Sequence, residues 1–239
     1  MKTLLNSCLV GGLALLPLSP ALAERDSKIK VLYMGGRGHD SPGYEKFLSG
    51  FLGRQGGFEL NISNRLDDLK AENIRAYDVV LFFGSGGDFT DSAQERGLES
   101  FLRNGGGVVG IHATDAFKKS DVYWKIFGGQ FIGHGGGKFP IEFTDTTHPI
   151  TKGLKGFEIT DESYRDRFHP ATVDKLHHLG RINRGNEKHS MIWVHEYGKG
   201  RLFSTGLGHD QKAWENPSLQ TLTMRALCWV ARKPLREPN

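Results

Sequence analysis

Short apolar runs set off by glycine mark the first half of the chain. The run at 29–34 leads into Gly35-Gly36, DVVLFF at 78–83 leads into Gly84, and the run at 108–111 follows Gly105-Gly106-Gly107. Runs of this length without alternation predict strands buried on both faces. Residues 58–62 alternate and predict another strand. Phe47, Leu48, Phe51 and Leu52 recur at helical spacing and predict a helix over 44–51. A second helix is predicted over 91–103, burying Leu98, Phe101 and Leu102 and opening with capping residues that include Ser92 three before Glu95. The second half carries more strands, at 140–143, 176–182, 191–194 and 201–204. A last helix has Asn216 as N-cap, Pro217 in its first position, and Leu219, Leu222, Ala226, Trp229 and Val230 along one face. The strand–helix alternation predicts an α/β fold: a parallel sheet with helices on both faces and a strand-rich second half.

The N-terminus breaks this pattern. Lys2 precedes an apolar stretch at 4–18, interrupted by Gly11, Gly12 and Pro17, and Ala21-Leu22-Ala23 follows. This is the layout of a signal peptide cleaved after Ala23, and it predicts export, in a bacterium to the periplasm. A spanning helix needs about 20 uninterrupted apolar residues, so no stable membrane anchor is expected. Residues 24–239 are expected to form a single domain. Of the two cysteines only Cys228 lies in that part, inside an apolar helical pattern, and reads as a core residue. The net charge of +4 is spread without a basic block, which argues against nucleic-acid binding. The pattern leaves a homo-oligomer open.

The chain has ten histidines and 32 glycines. Four histidines sit in glycine-rich segments: His39 in GRGHD, His112 in GIHA, His134 in FIGHG and His209 in GLGHD. A single loop histidine is ordinarily a solvated residue. Several at the carboxyl ends of parallel strands converge in space and make a metal site or an acid–base cluster. Glu162 is the best carboxylate partner. Three histidines and one glutamate suit a divalent transition metal, zinc first, with iron or manganese as alternatives. Asp40, Asp115 and Asp210 follow the histidines closely and either orient imidazoles or serve as turn and cap residues. Gly35-Gly36-Arg37-Gly38 lacks the pattern of a phosphate loop, but Arg37 remains a candidate for a substrate oxygen. Trp124, Trp193, Trp214 and Phe131 are candidates for a sugar platform, with Trp193 read as core. His148 and His169 precede proline and read as turn residues, whereas His177, His178, His189 and His195 read as exposed strand positions.

Six ordered segments carry a wider resemblance: GGRGHD ending at Asp40, GIHATDAF from Gly110, GGQFIGH ending at His134, HPITKGL from His148, DESY from Asp161, and YGKGRLFSTGLGH from Tyr197 to His209. Together, over residues 29–233, they resemble the ThuA (trehalose utilisation) family, a branch of the class I glutamine amidotransferase-like, flavodoxin-like superfamily. The superfamily's amidotransferases place a cysteine nucleophile at a tight strand-to-helix turn. Here that turn carries His112, so thiolate chemistry is not carried over. The resemblance implies a small-molecule carbohydrate substrate, an oxidised (3-keto) glycoside, and a metal-dependent lyase or hydrolase. On that reading His39, His112, Glu162 and His209 hold the metal. His134 is the base, Asp40 or Asp210 orients it, and Arg37, Phe131, Tyr164 and Trp214 contact substrate. Two other functions stay open: a carbohydrate-binding or regulatory module without catalysis, and a metal-free histidine–carboxylate hydrolase.

Overall fold

The run VVLFF at Val79–Phe83 is buried at every position, as is GVVGI at Gly107–Ile111. Both are interior strands of one sheet, covered on both faces. The computed structural model describes residues 28–238, and the signal-peptide reading of residues 1–23 lies outside them. Within the described residues the strands are β1 (Ile29–Gly35), β2 (Phe58–Ser63), β3 (Val79–Phe83), β4 (Gly107–Ile111), β5 (Gly129–Phe143), β6 (Phe157–Phe168), β7 (His177–Arg184), β8 (Glu187–Tyr197) and β9 (Gly200–Thr205). They lie in the order β2-β1-β3-β4-β9-β8-β7-β5-β6. The first five in this order are parallel. The rest pair antiparallel. The chain therefore inserts an antiparallel half between β4 and β9 before returning to complete the parallel one.

The helices are α1 (Ser41–Gln55), α2 (Ala71–Ile74), α3 (Ser92–Arg103), α4 (Asp121–Phe127), α5 (Gln211–Trp214) and α6 (Pro217–Val230). Alternation along β1 divides the core in two. Val31 and Tyr33 pack with Leu48 and Phe51 of α1 and Leu222 of α6. Leu32 and Met34 pack with Ile74 of α2, Leu98 and Leu102 of α3, and Phe127 of α4. Helices thus cover both faces of the parallel half, as the pattern predicts. Cys228 and Trp193 are fully buried. Among the described residues no helix is long and apolar enough to cross a membrane.

Several expectations are corrected. The first helix begins at Ser41 rather than 44, because the Asp40 carboxylate accepts from Gly43 N–H at 2.9 Å and caps it. The cap of α3 is Asp91, not Ser92. Its carboxylate accepts from Ala93 N–H, and Gln94 returns the bond by accepting from Asp91 N–H. The strand expected at 140–143 is only the end of the 15-residue β5. This strand forms a long hairpin with β6, which has no counterpart among the predicted elements. His195 is buried, not exposed, and its Nε2 faces the Ile126 carbonyl at 2.5 Å.

Candidate metal centre

Three loops leave the carboxyl ends of β1, β4 and β9, and each brings one imidazole inward. His39 follows β1, His112 follows β4 and His209 follows β9. Their rings sit 4.7 Å (His39–His112), 4.8 Å (His39–His209) and 5.4 Å (His112–His209) apart, centroid to centroid. The β5–β6 hairpin lays Glu162 against them. Its Oε2 is 3.3 Å from His112 Nε2 and 3.4 Å from His209 Nδ1. One donor atom from each of His39, His112, Glu162 and His209 falls within 4.8 Å of the others. A tetrahedral zinc with bonds of about 2.0–2.1 Å needs donor–donor edges of about 3.3–3.4 Å. The two contacts of Glu162 with His112 and His209 already have that length.

Backbone geometry aims these rings. His39 (φ 66°) and His112 (φ 54°) are both in the left-handed region. Non-glycine residues rarely adopt it, and where they do the strain is often held at a functional site. His112 occupies the tight turn after β4, where its amide donates to the Thr205 carbonyl at 2.9 Å. Its Nδ1 donates to the Gly206 carbonyl at 2.7 Å, which turns Nε2 toward Glu162. Below the ring, Tyr164 packs at 3.9 Å. Gly206 has to be glycine, since a Cβ there would lie 2.9 Å from the Tyr164 Cβ.

The electrostatics follow from enclosure. His39 Nδ1, His112 Nε2 and His209 Nδ1 are buried without a hydrogen-bond partner. Buried polar atoms in folded proteins are nearly always satisfied, so three orphaned imidazole nitrogens in one cluster, two of them facing the Glu162 carboxylate, need an explanation. Burial, then the neighbouring His112 and His209, push the His39 pKa down to about 4, so its ring is neutral at neutral pH. The His112 ring, with His209 and His134, holds the Glu162 carboxyl below the ordinary carboxylate range. A neutral His39 ring and an ionised Glu162 carboxylate are in the protonation states a metal ligand needs.

The remaining candidates divide. His134 lies on β5 with Nδ1 3.5 Å from Glu162 Oε1 and 3.2 Å from the Gly135 carbonyl. Phe131 packs against Tyr164 at 4.3 Å beside it. Arg37 is exposed on the loop after β1. Asp40 and Asp210 do not orient imidazoles: they cap α1 and α5, with Asp210 accepting from Ala213 N–H at 3.2 Å. Tyr164 and Trp214 are buried and support the site rather than face a substrate. Trp214 packs with Tyr44 and Phe83, and its Nε1 donates to the Gly208 carbonyl at 2.5 Å. Trp124 lies away from the cluster, beneath the Arg167 guanidinium at 4.5 Å.

Asp161 is the orienting residue the sequence reading missed. Its buried carboxylate accepts from Gly208 N–H at 2.7 Å, His209 N–H at 3.1 Å and Glu162 N–H at 2.8 Å, fixing two proposed ligands at once. Its place beside Glu162 in DESY was the available signal.

The comparisons agree with this architecture. The sequence model described as trehalose utilisation, ThuA, matches residues 30–230. The crystal structure of a ThuA-like protein from Parabacteroides merdae superposes with a TM-score of 0.77 at 21% identity, covering 89% of this chain and 93% of that one. A ThuA-like protein from Bacteroides uniformis gives 0.70 at 18% identity, covering 90% and 95%. A cold-adapted β-galactosidase from Rahnella sp. R3 gives 0.58 at 15% identity, with 87% of this chain matching 32% of that enzyme. No curated protein sequence matches the chain. Likenesses at these identities establish a shared fold, and the match over residues 30–230 places the chain in the ThuA (trehalose utilisation) family, with its amidotransferase-like fold.

Proposed function

We propose that the protein is a metal-dependent enzyme that cleaves 3-keto-glycosides by abstracting the C2 proton and eliminating the C1 substituent. The observation that carries this reading is the facing set of His39, His112, Glu162 and His209, three of whose nitrogens are buried without partners. These four residues would hold a divalent metal, zinc first. Such an ion would supply Lewis acidity to the substrate's C3 oxygen.

The chain's own groups supply the proton chemistry. His134 Nδ1 lies beside two acceptors, Glu162 Oε1 and the Gly135 carbonyl. That arrangement keeps the proton on Nδ1 and leaves Nε2 free as base. A ketone at C3 acidifies the C2 hydrogen. His134 Nε2 takes that proton, and the C2–H electrons form the enolate. The enolate then forms the C1=C2 bond and breaks the bond from C1 to its oxygen substituent. The His134 imidazolium returns its proton to the departing oxygen. Water adding across C1=C2 puts hydroxyl on C1 and hydrogen on C2, so the net reaction is hydrolysis. Without water addition the product is the enone and the reaction is that of a lyase.

The test is metal analysis of the purified protein combined with turnover of 3-keto-trehalose. Near-stoichiometric transition metal, with turnover lost in both His112→Ala and His209→Ala, is expected. Metal-free protein that neither binds added zinc nor turns over the substrate overturns the reading. Trehalose binding without turnover would instead point to a carbohydrate-binding module.

A further inference from the structure

His39 also lines a cavity of about 360 Å³ at the segments that leave β1, β2, β3 and β4. Its volume is at the small end of the range for small-molecule sites, about 300–1,000 Å³. Its position has a topological cause. The strand order β2-β1-β3 reverses direction at β1, and open α/β sheets form their ligand crevice at such a switch point, beyond the carboxyl ends of the strands.

The lining is chemically mixed. Arg37, Glu45 and Asn64 present side chains that make no hydrogen bond or ion pair with another described residue. Leu66 and the Phe117 ring supply apolar wall. Phe117 is held there at φ 47°, an outlier for a bulky residue, with its ring stacked on Phe89 at 4.3 Å. Asp88, also in the lining, is engaged by Lys119 at 2.7 Å. One guanidinium set among two carboxylates and an amide does not suit an anion such as phosphate. It suits a neutral ligand rich in hydroxyls, with polar edges for the free side chains and a C–H face for the aromatic ring.

We propose that this cavity is the subsite for the second ring of the substrate, the neutral sugar unit expelled from C1. His39 is then the wall shared by the reacting ring and the leaving ring. The inference rests on the reading of the site as one that cleaves oxidised glycosides, and it adds where the unit expelled from C1 sits and which side chains hold it.

The probe is unoxidised trehalose, titrated calorimetrically into the purified, metal-loaded full chain. Arg37 and Asn64 are exposed, so Arg37→Ala and Asn64→Ala leave folding intact. Millimolar or tighter binding is expected in the parent protein. Each substitution is expected to weaken it about tenfold, and to raise KM for 3-keto-trehalose similarly with little change in kcat, each removing a charged or amide contact to a hydroxyl. Methyl glucoside, which lacks the second ring, is expected to bind alike in all three proteins. No trehalose binding by the parent, or binding and KM unaltered in both variants, overturns the subsite. Metal content and turnover are read separately. Arg37-dependent trehalose binding in a protein without metal or turnover keeps the subsite and discards the reaction, whereas turnover with unshifted KM does the reverse.

Discussion

A carboxylate that accepts three backbone N–H groups cannot become an amide without turning one donor against another. Asp161 is in that position, with Gly208, His209 and Glu162 all donating to it. Asp161→Asn is expected to lower metal affinity about 10–100-fold, the usual effect of removing a partner that orients a ligand. Chelator competition measures this. An unchanged affinity in a folded variant would mean that the carboxylate only braces the loop. Asp166 presents the opposite problem. Both its oxygens are enclosed without a partner, and the Thr114 hydroxyl lies alongside without completing a hydrogen bond. Burial raises its pKa from 3.8 to about 6. The folded chain therefore holds this proton more tightly than the unfolded chain. The resulting stabilisation is complete below about pH 4 and is lost as the pH rises through about 6. Asp166→Asn keeps the shape and removes the charge. It is expected to be more stable than the parent at pH 7–8, by on the order of 1–3 kcal/mol. Urea unfolding across pH should show the difference shrinking to nothing near pH 4, and a constant difference would refute this account.

At the scale of elements, α3 shows how much one capping side chain holds. Gln94 is almost fully buried, accepts from the Thr90 and Asp91 amides, and donates to Asp67 at 2.9 Å. Gln94→Ala removes the returning half of the capping box and leaves those amides unsatisfied. A loss of about 1–2 kcal/mol in urea unfolding is expected, with metal content unchanged because the Gln94 side chain bonds Thr90, Asp91 and Asp67 and none of the histidine loops. The parallel strands were legible because burial on both faces forces unbroken apolar runs, as in VVLFF. The β5–β6 hairpin was not. The stretch GHGGGK in β5 is largely exposed and poor in strand-forming residues, and DESYRDR in β6 is mostly charged or polar. These strands are held by a ladder running from Gly129↔Phe168 to Ile141↔Phe157 rather than by a pattern of their own. Their polar residues instead furnish the site, and that hid the strand from hydropathy.

At the scale of the molecule, the histidine cluster joins the two halves of the sheet. His39, His112 and His209 arrive from the parallel half, and Glu162 from the antiparallel hairpin. The histidines were legible because glycine-rich loops at strand ends converge in any open α/β fold. The orienters were not: the nearest acidic residues in sequence, Asp40 and Asp210, cap helices, while the contacts that aim the clustered side chains come from Asp161 and from the Gly206 carbonyl. Convergence also has a thermodynamic consequence. An ion bound by residues from both halves exists only when they are docked, so its binding free energy adds to stability. With free metal at 100 times Kd the gain is about 2.7 kcal/mol. For a chain of this size that is about 5–10 °C in melting temperature. Removing metal with a chelator is expected to lower Tm by that amount, and zinc is expected to restore it. His112→Ala should melt at one temperature with or without zinc, because it lacks the ligand between the strand ends and the hairpin. A parent protein whose Tm ignores both chelator and zinc would separate the four residues from any metal, and their orphaned nitrogens would then be proton sites.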